Sequence, residues 1–227
     1  MNDNEPIHVV LICLANDFFS PPGSGWIGGG QVGFRELGMY LNSKGIDVTY
    51  LSRQTSKDQK IIEYLGSNCK LLRVPNSRMH EEAPKDLGII LDELIPNSME
   101  LFSKEVKKTS LVHSQYWVGG ACAHQICKKF KLRHLHSFLS LGRKHNNDRY
   151  NMTKEEIKRD NWELLIYESA EWLIAPSASL AGSFLKLYPE ISHQRLIVIP
   201  HGVDHALFTP RPESAGDYFR RSAARFR

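Results

Sequence analysis

Short apolar runs recur along the chain, separated by polar stretches that carry most of the glycines. Seven of these runs predict strands: 7–15, 47–52, 70–75, 110–116, 134–140, 172–176 and 196–200. Most are apolar on both faces, as strands of a sheet covered on both sides must be. Between them the spacing of apolar positions lengthens to that of a helix. Phe34, Leu37 and Leu41 share one helical face while Arg35, Glu36 and Lys44 lie elsewhere. Leu87, Leu91 and Leu94 repeat the arrangement, as do Val118, Cys122 and Ile126. Thr153 followed by Glu156 is a capping-box pair that opens a helix through about Glu171, and Ser177 is placed to cap the helix after it.

This alternation predicts an α/β fold, a single Rossmann-like doubly wound parallel sheet whose ligands collect beyond the carboxyl ends of its strands. The sequence carries no internal repeat. From "TPRPESAGDYFRRSAARFR" the periodicity fades and prolines and charges take over. The expected division is a domain over 1–208 followed by a linker over 209–227.

Composition narrows the picture. The 227 residues, 41% hydrophobic and 24% charged, are enough to bury a real core. A net charge of +4 without long Lys/Arg runs argues against a nucleic-acid partner. The start "MNDNEPIHVVLICLAND" has an acidic leader and an apolar stretch too short to span a bilayer, so a mature cytoplasmic start is expected. Cys13, Cys69, Cys122 and Cys127 form no CxxC pair and sit in apolar contexts. They are expected to be reduced core residues, with no metal site.

The chemistry gathers first at Gly28, Gly29 and Gly30. Lacking Cβ atoms, they let a ligand approach the backbone directly. A helix beginning there turns its unpaired N–H groups and positive end to one point, where a phosphate would be stabilised. A flexible turn is the plain alternative, and the local sequence leaves both open. GxGxxG fits only "GSGWIG", well ahead of the helix, so a dinucleotide-dependent oxidoreductase is a weak reading.

Three ordered stretches carry a resemblance: "GGGQVGFRELGMYLNSKGIDVTYLSR", "LVHSQYWVGGACAHQICKKFKLRHLHSFLSLGRKH" and "ESAEWLIAPSASLAGSFLKLYP…RLIVIPHGVDHALFTP". Together they resemble the N-terminal domain of family 4 glycosyltransferases of GT-B fold, in the sucrose-phosphate synthase and mycothiol glycosyltransferase branch. The resemblance implies two Rossmann-like domains across a cleft, the first mainly binding acceptor and the second mainly binding a nucleotide sugar. These residues correspond to the first. The family's donor-binding lysine, arginine and paired glutamates belong to the second, so the chain alone is expected to transfer poorly and to need a separate chain bearing that domain. No cofactor is implied beyond the nucleotide sugar itself.

By this resemblance Gly29 and Gly30 approach the donor phosphates and Gln31 lies at the helix mouth beside the acceptor. His113 and Tyr116 are candidate acceptor contacts, although a lone histidine is more often satisfied inside the fold. The basic loop "SLGRKHNNDRY" offers Arg143 and Lys144 to an acceptor phosphate, with Arg149 left open. Leu139 departs from the family, standing where a histidine contacts the transferred sugar, and leucine makes no hydrogen bond. His136 is three residues earlier, an odd offset that sends it to the opposite face of a strand. No catalytic residue is therefore assigned. Two functions stay open: the acceptor-side half of a retaining hexosyltransferase, or a non-catalytic binding or regulatory subunit, or remnant, that keeps the fold.

Overall fold

A computed structural model describes residues 7–20, 28–79, 87–105, 109–143, 152–205 and 208–209. In chain order the elements are β1 (His8–Cys13), α1 (Gly29–Ser43), β2 (Asp47–Arg53), β3 (Ile62–Gly66), β4 (Cys69–Val74), α2 (Leu91–Glu105), β5 (Leu111–Gln115), α3 (Tyr116–Phe130), β6 (His134–Ser137), α4 (Lys154–Ser169), β7 (Trp172–Ala175), α5 (Ala178–Leu187) and β8 (Leu196–Val198). The strands form one sheet in the order β3-β4-β2-β1-β5-β6-β7-β8. All seven predicted strands are present and pair in parallel. The eighth, β3, pairs antiparallel at the edge. Its residues are half exposed and include a glutamate, so it lacks the continuous apolar character that marks the inner strands.

Strand register divides the core into two faces. Val10, Ile12 and Val112 turn toward a cluster that takes in side chains of α2 to α5, and Val9, Leu11 and Tyr50 turn toward Phe34 of α1. The first of these contacts is very close at Gly119, where a Cβ would stand 2.8 Å from the Ile12 carbonyl oxygen. Helix ends follow the sequence signals. Thr153 Oγ1 accepts from the Glu156 amide while Glu156 accepts from that of Thr153, and Ser177 Oγ accepts from Leu180 N–H. All four cysteines are buried and unpaired, and burial pushes the Cys13 thiol up to about 11 and that of Cys122 to about 12. No helix among the described residues is long and apolar enough to cross a membrane.

Candidate functional site at the mouth of the first helix

The strand order reverses direction at β1 and β5. From β1 the chain passes through α1 to β2 on one side, whereas β5 lies on the other, so the loops beyond these two strands diverge and leave a crevice. The first loop is firmly braced. Ser52 Oγ accepts from Phe18 N–H and donates to the Asn16 carbonyl, and the fully buried Arg53 donates to the Ala15 carbonyl and to Asn16 Oδ1. Asp17 is buried against Arg73 at 2.7 Å. These contacts fix residues 15–18 against the ends of β2 and β4.

At that start, Gly28 N–H donates to Gln31 Oε1 at 3.0 Å, and the Gly28 carbonyl accepts from the amides of Gln31 and Val32. Gln31 thus caps its own helix and stands at the mouth. The amides of Gly29 and Gly30 have no acceptor among the described residues. The two glycines differ in their surroundings. A Cβ on Gly29 would have nothing within 4 Å, and the residue is exposed. A Cβ on Gly30 would come 2.3 Å from Leu139 Cδ1 and 3.8 Å from Gln115 Oε1. Glycine at 30 therefore answers to the leucine packed over it, while at 29 no described protein atom requires it. The mouth is open at Gly29 and partly roofed at Gly30.

Tyr116 opens α3 immediately beyond β5 with a φ of 63°, a left-handed backbone that a tyrosine rarely adopts. Its ring lies 5.3 Å from the Arg159 guanidinium of α4. Arg159 also donates to Ser140 Oγ at 2.9 Å and to buried Glu163 at 2.7 Å. Tyr116, Ser140 and Arg159 thus stand together at the carboxyl edge of β5 and β6. Arg159 is not legible in the sequence, because it sits mid-helix among other charges and only the packing of α4 brings it to this edge. Gln115 carries no sequence signal either, standing between Ser114 and the more conspicuous aromatic pair Tyr116 and Trp117.

Two of the expected ligand groups are spent elsewhere. Arg143 is buried: its Nε bonds Asp160 at 2.9 Å, a second nitrogen bonds Glu190 and the Leu187 carbonyl, and the guanidinium covers the Tyr188 ring at 4.1 Å. Such a saturated guanidinium braces α4 against α5 rather than meeting a phosphate. His113 lies mid-strand, buried, its Nε2 2.8 Å from Ser137 Oγ and its ring edge-on to Phe34. Burial depresses its pKa to about 4, so it is neutral and belongs to the core. His136 faces the other way, against Gly120, Ile166 and Tyr167, on the side opposite Leu139. Lys144, His145 and Arg149 lie outside the described residues, as do 210–227.

The sequence profile of Glycosyltransferase Family 4 matches residues 27–207. The chain belongs to glycosyltransferase family 4. It is 26% identical over 210 residues to a D-inositol 3-phosphate glycosyltransferase of Arthrobacter sp. (strain FB24), covering 91% of this chain and 50% of that protein. A mannosylfructose-phosphate synthase of Agrobacterium fabrum is 24% identical over 212 residues, covering 88% and 46%. Among solved structures, the sucrose-phosphate synthase of Thermosynechococcus elongatus superposes with a TM-score of 0.73 at 24% identity, over 93% of this chain and 52% of that one. The fold is therefore that of the N-terminal half of such two-domain transferases. The family 4 chain spans about half the length of the curated relatives it matches.

Proposed function

We propose that this domain is the acceptor side of a retaining hexosyltransferase, one that moves a hexosyl group from a nucleotide sugar to a small phosphorylated polyol, with no cofactor beyond that donor. The observation that carries the proposal is the mouth of α1: bare amides of Gly29 and Gly30, backed by a helix dipole, at the point where the sheet reverses. In this reading Arg159, ion-paired to Glu163 beside Tyr116 and Ser140, supplies the cationic contact expected of Arg143. The names of two relatives specify phosphorylated small molecules, inositol 3-phosphate and mannosylfructose phosphate. Transfer would require a donor-binding half, from the same longer polypeptide or from a separate chain.

A second reading, a binding or regulatory domain without transfer activity, is favoured by one feature. Leu139 lays an apolar side chain against Gly30 where the family histidine would offer a hydrogen bond. Calorimetric titration tests the first reading. The chain is expected to bind fructose 6-phosphate or inositol 3-phosphate, and to bind UDP-glucose weakly or not at all. Gly29→Ala, whose new methyl meets no described protein atom, is expected to keep its unfolding temperature and to weaken polyol-phosphate binding. Micromolar UDP-glucose binding by the chain alone, or unchanged polyol-phosphate affinity in Gly29→Ala, would contradict it.

A further inference from the structure

Gln115 closes β5 on the face that carries α1. The parallel register places it level with Ser137 of β6, on the face of His113 and Leu11. It is 2% exposed, and its Oε1 is buried without a hydrogen-bond partner. An amide oxygen in that state carries a desolvation cost that native folds seldom leave unanswered. Its direction is specific: Oε1 lies 3.8 Å from where a Cβ of Gly30 would be, beside the Leu139 methyl that fills the same spot. The unpaired acceptor therefore lies beside the first turn of α1 at Gly30, beneath Leu139.

We infer that Gln115 Oε1 accepts a hydrogen bond from a hydroxyl of the ligand bound at the mouth of α1, and that Leu139 packs on the C–H face of the same ring. This rests on the acceptor-domain reading above and deepens it: of the phosphorylated polyol proposed there, a neutral hydroxyl, not the phosphate, meets Gln115. The division follows from chemistry. A phosphate oxygen is an acceptor and gains nothing from a carbonyl oxygen, whereas a hydroxyl donates to it. Leu139 is partly buried and lies beyond the end of β6, so access of a hydroxyl to Oε1 requires its side chain to turn aside. A site that holds a substrate hydroxyl in this way rejects analogues that lack it, because the buried acceptor is again left unpaired.

Gln115→Met keeps the length of the side chain and removes the amide. In calorimetric titrations of the full chain, this variant is expected to bind fructose 6-phosphate and inositol 3-phosphate about five- to tenfold more weakly. Its affinity for inorganic phosphate should be unchanged. The ligand-free unfolding temperature should hold or rise, since an unsatisfied buried oxygen has been removed; a merely structural glutamine would instead make it fall. Equal polyol-phosphate binding by both proteins overturns the inference and leaves the acceptor-domain reading standing. Equal weakening for inorganic phosphate, or a lower unfolding temperature, also overturns it, by assigning Gln115 to the anion or to the fold. Absence of polyol-phosphate binding in the unsubstituted chain overturns both.

Discussion

Three histidines inside the sheet set a limit on the pH range of the fold. Ser114 Oγ lies 2.7 Å from His134 Nε2 and 2.8 Å from His136 Nδ1, while His113 is tied to Ser137 on the other face. Burial lowers all three: His113 to about 4, His134 to about 3, and His136 well below its usual 6.5. A base whose folded pKa is depressed stays neutral in the native state and takes up a proton on unfolding. Stability is then full above the unfolded value of about 6.5 and falls as the pH drops below it, by at most about 1.4 kcal/mol per histidine per pH unit. Urea unfolding at pH 7.5, 6.5 and 5.5 is expected to show little change over the first interval and a clear loss over the second. His136→Phe should flatten that loss; an unchanged pH dependence in the variant would contradict this assignment. The sequence shows these histidines but not their burial, which depends on strand register.

At the scale of elements, tight glycine contacts decide how helices sit on the sheet. At Gly119 the opposing atoms are strand backbone, the Ile12 carbonyl oxygen at 2.8 Å and Cys13 Cα at 3.3 Å, which cannot yield as a side-chain tip does. Gly119→Ala is expected to destabilise by about 1–3 kcal/mol, as overpacking does. Gly182, in the middle of α5, has nothing within 4 Å of its Cβ position, and Gly182→Ala should stabilise by up to about 1 kcal/mol. Chemical denaturation of the two variants checks the pair, and equal effects would contradict the packing described. The parallel strands and the helix caps were legible because each rests on local signals: apolar runs, Thr153 with Glu156, and Ser177. β3 was not, since an edge strand need not be apolar. The role of Arg143 was not either, because its partners are distant in sequence, Asp160 on α4 and Glu190 in the turn after α5.

For the whole molecule, the sheet is unevenly covered. On the α1 face of β6 to β8, Leu135, Trp172, Ile174 and Ile197 line up in register and remain partly or largely exposed. A contiguous apolar surface of this kind suits further protein, consistent with a chain that spans about half of its relatives. The candidate site lies where the strand order diverges between β1 and β5, at the carboxyl ends to which the alternation of strands and helices pointed. The side chains around it were not legible: Gln115 lies beside Gly30, Arg159 stands with Tyr116 and Ser140, and Arg143 and His113 are engaged inside the fold. The central claim is that ligands dock on the main chain at the mouth of α1. It is tested most directly by following backbone amides in nitrogen-15 NMR spectra while fructose 6-phosphate is added. The largest shifts are expected at Gly29, Gly30 and Gln31, with Tyr116 and Ser140 following. Saturable binding that leaves those three amides unmoved would contradict the account.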